Sequence, residues 1–133
     1  MITAYIDGGS RGNPGIAGYG VHIEDPQGRT LAELCGPRGV ATNNVAEYHG
    51  LIAALDWSVT HGHRAVRVRS DSELLVRQMR GEYKVRHPGL QPLHRRASGL
   101  VTRLDRAVFE HIRREQNAEA DRLANVAMDE QER

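Results

Sequence analysis

The stretch ITAYIDGGSRGNPGIAGYGVHIEDPQGRTLAELCG, residues 2–36, decides how the chain is built. Ile2, Ala4 and Ile6 alternate with Thr3, Tyr5 and Asp7, a two-residue period that reads as a strand over ITAYID (2–7). AGYGVHIED (17–25) and TLAELCG (30–36) read as two further strands, and the intervening DPQG has proline and glycine where a tight turn wants them. Residues 2–35 thus predict a three-stranded antiparallel opening. Asp7 ends the first apolar run and is followed at once by glycines, a serine and an arginine. Two readings compete for it: an Asp-Gly hairpin residue, or the first ligand of an active site.

Beyond this opening the period changes. In TNNVAEYHGLIAALDWSVTHG (42–62), Tyr48, Leu51, Ile52, Leu55 and Val59 recur at helical spacing, with Gly62 as the stop. AVRVRSD (65–71) returns to alternation, and SELLVRQMRG (72–81) is a short helix ending at Gly81. Leu90, Leu93, Ala97, Leu100, Val101 and Leu104 form one helical stripe. AVFEHIR (107–113) is a last strand, and NAEADRLANVAMDE (117–130) a last helix with Ala120, Leu123, Ala124 and Ala127 inward. The order β-β-β-α-β-α-α-β-α predicts an α/β fold with a mixed five-stranded sheet: three antiparallel strands, then strands made parallel by helical crossovers.

At 133 residues the chain is read as a single domain, long enough to bury a core without staples. Its net charge of +1 advertises no nucleic-acid partner globally, although every basic residue except Lys84 is arginine. Arginine is the better phosphate clamp, but a GC-rich genome produces the same bias and is the simpler explanation. A lone cysteine, Cys35, excludes an internal disulfide and suits a reducing cytoplasm. No apolar run reaches membrane-spanning length, and Met1 followed directly by ITAYID leaves no room for a leader. The expectation is a cytoplasmic monomer.

Among many carboxylates, position singles out four. Asp7 and Asp71 stand at the carboxyl ends of their strands, where open α/β sheets bind ligands. If those strands are neighbours, the two acids meet, and a cation or proton must lie between them. Glu47 falls in the first turn of the long helix and Asp121 in the second turn of the last. Each also has a plain structural reading: Asn44-Val45-Ala46-Glu47 resembles a capping box, and Asp121 complements a helix dipole.

DGGSRGNPGIAGYG, TNNVAEYHGLIAAL, SDSELLVRQMRGEYKV and RREQNAEADRLAN resemble, in this order and from end to end, the successive motifs of type 1 ribonuclease H. The resemblance implies the ribonuclease H-like fold and hydrolysis of the RNA strand of RNA–DNA hybrids, leaving 5′-phosphate and 3′-hydroxyl ends. It places the family's metal ligands on Asp7, Glu47, Asp71 and Asp121, with two Mg²⁺ ions as cofactors and Mn²⁺ as a substitute. In-line phosphodiester cleavage is served by two cations roughly 4 Å apart, one activating water and one steadying the leaving oxygen. By resemblance Asp7 bridges both, Asp121 completes the water side, and Glu47 and Asp71 the leaving-group side.

The same resemblance assigns substrate contacts to Gly8, Gly9, Ser10, Asn13, Thr42, Asn43, Asn44, Ser72 and Lys84, where RNA is distinguished by its 2′-hydroxyl. For Thr42, Asn43 and Asn44, helix capping is the rival role. Two departures stand out. GEYKVRHPGLQPL (81–93) carries Tyr83, Lys84, Arg86 and His87 but lacks the family's basic, tryptophan-bearing protrusion, which implies a weaker grip. Trp57 lies within the long helix as packing. EHIRREQNAEAD (110–121) lacks the glycine-flanked loop whose histidine assists catalysis, leaving His111 or Arg114 as candidates, the latter as in the short-looped, archaeal-like branch. Histidines 22, 49, 61, 63, 87 and 94 are expected at the surface. Cleavage of double-stranded RNA by the same fold, a non-catalytic hybrid-binding module and a purely structural fold are the competing readings.

Overall fold

The computed structural model describes residues 1–132. Among them, five strands form one sheet in the order β3-β2-β1-β4-β5. β1 (Ile2–Arg11), β2 (Gly15–Glu24) and β3 (Thr30–Ala41) make the antiparallel meander, followed by α1 (Asn43–Thr60), β4 (Ala65–Ser70), α2 (Glu73–Met79), α3 (Gln91–Val101), β5 (Arg106–His111) and α4 (Ala118–Gln131). β4 lies parallel to both β1 and β5, so the mixed five-stranded sheet is as expected. One short 3₁₀ turn, Arg114–Gln116, joins β5 to α4.

Alternation in β1 sends Ile2, Ala4 and Ile6 to one face, where they bury with Val66 and Val68 of β4 against Leu51 and Leu55 of α1. The other face of β1 and β2 is covered by α4, whose Ala120, Leu123, Ala124 and Ala127 are buried as its spacing predicts. Tyr48 donates a buried hydrogen bond of 2.6 Å to Gln78, tying α1 to α2. Trp57 is half-buried and stacks on His61 and His63, with ring centroids 4.2 and 5.4 Å away.

Four expectations need correction. β1 does not end at Asp7 but runs on to Arg11, because the glycine-rich segment pairs with β2 as far as Arg11↔Ile16. β3 likewise extends past residue 36 to Ala41. Asp121 lies in the first turn of α4, not the second, since its N–H already bonds Asn117. His22 is buried rather than on the surface, with its ring nitrogens 3.0 Å from Glu24 and 3.1 Å from Glu33. Arg122 of α4 reaches over the same face to Glu33, so the flanking carboxylates and the helix cover a ring that alternation alone would leave outside.

Candidate active site

The parallel pairing of β1 with β4 stops at Ile6↔Ser70, so Asp7 and Asp71 are the first residues beyond it on adjacent strands. Strand-end placement therefore holds for Asp71 and, in relation to β4, for Asp7, although β1 itself continues. Glu47 reaches the pair from the second turn of α1, not the first as expected, because the helix already begins at Asn43 with Thr42 as its cap. One oxygen from each of Asp7, Glu47 and Asp71 lies within 4.8 Å of the others, an arrangement able to hold a metal ion.

Two glycines explain how the helices come so near. A Cβ on Gly8 would lie 2.3 Å from the backbone of Ala46 and Glu47, so α1 rests directly on that strand position. Gly20 faces Asp7 across the β1–β2 register, and a Cβ there would lie 2.2 Å from the Ala120 carbonyl oxygen. α4 is thereby seated close enough for Asp121 to help raise the Asp7 pKa.

The capping-box reading of Glu47 fails. Thr42 is the N-cap, its hydroxyl accepting from Val45 N–H at 3.2 Å. Glu47 is instead buried to 8% exposure, and its Oε2 has no hydrogen-bond partner among the described residues. A buried, unpartnered carboxylate oxygen costs free energy unless something binds it. Burial, then Asp7 and Asp71, hold the Glu47 pKa well above the ordinary range. Burial and the charges of Asp71 and Asp121 push Asp7 up to about 8. Asp71 is raised mainly by burial, opposed by an Asn117 hydrogen bond and the charge of Arg114.

These acids form the floor of an open cleft of about 770 Å³. Gly8, Gly9, Ser10, Asn43, Asp121, His111 and Arg114 also line it, so both catalytic candidates at its far edge are brought in. His111 closes β5, with Nε2 3.3 Å from the Asp71 carbonyl oxygen, and Arg114 sits on the 3₁₀ turn. Asn13 stands at the rim, accepting from Asn43 N–H at 3.0 Å. Thr42 and Asn44 flank the same helix start. Ser72 caps α2 by accepting from Leu75 N–H, and Lys84 lines a separate groove with Tyr83 and Arg95; neither lines the cleft.

Three contributors escaped the sequence reading. Asn117 is buried and donates to the Ile6 carbonyl oxygen at 2.8 Å, which ties the start of α4 to β1. Although it precedes α4 directly, it makes no side-chain cap bond. Arg11 and Asn125 line the cleft joined by a 3.2 Å hydrogen bond, a contact 114 residues apart in sequence that no local pattern signals.

Residues 5–127 match the family model described as reverse transcriptase-like. LC11-RNase H1, solved in complex with an RNA/DNA hybrid, superposes with a TM-score of 0.95 at 46% identity, covering 100% of both chains. RNase H1 from Halobacterium salinarum gives 0.93 at 40% identity, covering 97% of this chain and 98% of that one. The chain belongs to the type 1 ribonuclease H family.

A Mycobacterium tuberculosis protein named as bifunctional is 51% identical over 129 residues, which are 96% of this chain and 35% of that protein. This ribonuclease H chain thus spans about a third of the length of the mycobacterial relatives it matches. The family is divalent-metal dependent, and the acidic triad Asp7, Glu47 and Asp71 is present.

A ligand set that must lose a proton binds metal more tightly as pH rises. Mn²⁺ should therefore raise the melting temperature, and the concentration needed should fall about tenfold per pH unit between 6 and 8, while the Asp7 proton is being displaced. Thermal melts across a Mn²⁺ series at several pH values check this. A melting temperature indifferent to Mn²⁺ would mark the acids as structural.

Proposed function

We propose that residues 1–133 act as one catalytic unit, a monomeric cytoplasmic endonuclease that hydrolyses the RNA strand of RNA–DNA hybrids to 5′-phosphate and 3′-hydroxyl ends. The observation carrying this reading is the Asp7–Glu47–Asp71 cluster with the unpartnered, buried Glu47 Oε2 at the base of an open cleft. A module that only bound nucleic acid would gain nothing by crowding carboxylates where a phosphate must dock. The solved complex of LC11-RNase H1 with an RNA/DNA hybrid supports the substrate class. Among the described residues no helix is long and apolar enough to cross a membrane.

The donor set fits hard, oxygen-preferring cations, Mg²⁺ first and Mn²⁺ as a substitute. Asp7, Glu47, Asp71 and Asp121 would hold them, and the ions would supply activation of water and charge neutralisation at the departing 3′-oxygen. The chain's residues do the rest. Asp7, between Asp71 and Asp121, gives up its raised-pKa proton when the site loads. Asn117 holds the start of α4, and with it Asp121, against β1 through its bond to the Ile6 carbonyl oxygen. Gly8 and Gly9 present backbone with no side chain in the way, which suits close approach to a ribose 2′-hydroxyl, and Ser10, Asn13, Asn43, Asn44 and Thr42 supply polar groups around it. Arg114 and His111 lie near Asp71 at the cleft, where a cation or proton carrier is useful as charge develops. Ser72 and Lys84 would contact the duplex only beyond the cleft.

End-labelled hybrid, all-DNA and all-RNA duplexes of one sequence, incubated with Mg²⁺ or Mn²⁺, test the proposal. The expected result is cleavage of the RNA strand of the hybrid with 5′-phosphate products. Equal cutting of the all-RNA duplex would transfer the function to a double-stranded RNA nuclease, and binding without cutting would leave a hybrid-binding module. Arg114→Ala should lower kcat about 10²- to 10³-fold, the usual span for a group assisting proton transfer or charge neutralisation. His111→Ala in the same assay tells which of the two matters; unchanged kcat in both would remove this edge of the site from catalysis.

A further inference from the structure

Asn117, Asp121, Asn125, Asp129 and Glu132 follow one another at spacings of four, four, four and three, which places them along one face of α4 and its ends. Four of the five bond β1. Asn117 donates to the Ile6 carbonyl oxygen at 2.8 Å. The other three meet Arg11, the last residue of that strand. Its Nη2 donates to Asn125 Oδ1 at 3.2 Å and to Asp129 Oδ1 at 2.7 Å, and its Nη1 pairs with Glu132 Oε2 at 2.9 Å. Asp121 stands between the two asparagines and lines the cleft.

Asn125 joins Arg11 to Asp121. Its Oδ1 accepts from the guanidinium while its Nδ2 donates to the Asp121 carbonyl oxygen at 3.0 Å. Turning the amide over would set oxygen against oxygen and nitrogen against guanidinium, so both bonds require this one orientation. Asp121 is thus tethered one helical turn away on either side. Asn117 fastens the helix to Ile6, one residue before Asp7, and Asn125 fastens it to Arg11, four residues after.

The tether suits placement better than stability. The Arg11 side chain is 33% exposed, and ion pairs at that exposure contribute little to folding. A planar guanidinium that binds an amide and two carboxylates at once is nevertheless fixed in direction, which an ammonium would not be. Placement matters most for Asp121. Asp7, Glu47 and Asp71 offer oxygens within 4.8 Å of one another, and Asp121 is not one of that group, so its approach depends on how α4 is held.

We propose that Arg11 is a positioning residue for Asp121, acting through Asn125 to set how closely the α4 carboxylate approaches the other three acids. This rests on reading those acids as the metal site of a hybrid nuclease.

Titration calorimetry of Mn²⁺ into the metal-free protein, thermal melts and steady-state cleavage of hybrid in Mg²⁺ test it. The proteins compared are wild type, Arg11→Gln, Asn125→Ala, the double variant and the control Arg122→Gln. Arg122 belongs to the same helix, but its guanidinium engages Glu33 and Glu119. Arg11→Gln and Asn125→Ala should each raise the Kd for Mn²⁺ and lower kcat about tenfold, as when an outer partner of a metal ligand is lost. KM for hybrid should stay unchanged. The double variant should match the worse single one, because both break the same connection. Each single variant, the control included, should melt less than about 5 °C below wild type without metal. The control should keep wild-type Mn²⁺ affinity and kcat. Additive losses in the double variant would overturn the relay, and equal losses in Arg122→Gln would reduce it to general anchoring of the helix. A raised KM in Arg11→Gln, with kcat and Mn²⁺ affinity intact, would also overturn it and make Arg11 a substrate contact. Wild type that bound Mn²⁺ but left hybrid uncut would sink the catalytic reading alone, because calorimetry would still decide the relay; wild type that bound no Mn²⁺ would sink both.

Discussion

Asp7→Asn should abolish cleavage while making the metal-free protein more stable. Asp7 is coupled to every other acid of the site: Asp71 and Asp121 raise its pKa, and its own charge raises that of Glu47. Losing one member of such a concerted set lowers kcat by about 10³-fold or more. The stability change has a definite sign. The carboxyl group titrates at 3.8 in the unfolded chain and at about 8 when folded, so folding takes up a proton between these values. The favourable contribution is complete below pH 4 and is lost as pH rises through 8. Asparagine carries no charge to desolvate, so the variant's advantage should grow from near zero at pH 4 to a few kcal/mol above pH 8. Melting curves at pH 5 and 8.5 should differ accordingly, by roughly 5–15 °C in favour of the variant at the higher pH. Adding Mn²⁺ should recover wild type but not Asp7→Asn. More than a tenth of wild-type activity in the variant, or no stability gain at high pH, would contradict the site as described.

The second large effect is expected from a residue with no side chain. Gly20→Ala puts a methyl group 2.2 Å from the Ala120 carbonyl oxygen and 2.6 Å from the Ala124 nitrogen, both backbone atoms that no rotamer change can move. α4 must shift away from β2 by about 1 Å, at a cost of about 2–4 kcal/mol and about a 10 °C fall in melting temperature. The same shift draws Asp121 back from Asp7, and a misplacement of that size costs about 10²-fold in rate. Circular dichroism melts and kcat measured well below the new transition separate the two effects. Gly99→Ala, on α3 with nothing within 4 Å of the added methyl, serves as a comparison away from α4 and should leave kcat unchanged. Full activity in Gly20→Ala would mean that helix seating does not set the position of Asp121.

Where sequence reasoning succeeded, the signal was local. Alternation in ITAYID and AVRVRSD, and the helical stripes through Leu51 and Leu123, are consequences of side-chain period and survive in the observed sheet and core. Where it failed, the deciding contact came from a distant segment. β1 outran its apolar run because β2 offered backbone partners as far as Arg11, which hydropathy does not register. His22 was buried by carboxylates from two strands and by α4. Glu47 looked like a cap because its spacing from Asn44 fits a capping box, but Thr42 had already taken that task.

By itself, then, the sequence determined the element order, the mixed sheet and the four acidic positions, since period, turn residues and ordered motifs are all written along the chain. It did not determine how near those acids stand or how they share charge. That followed from the end of the β1–β4 register at Ile6↔Ser70, from α1 lying on Gly8 and α4 on Gly20, and from Asn117 tying the start of α4 to β1. Proximity of like charges in a buried place is a property of three-dimensional packing: Asp7, Glu47 and Asp71 spaced along an unfolded chain would titrate independently, and only the fold brings them near enough together to be able to hold a metal ion.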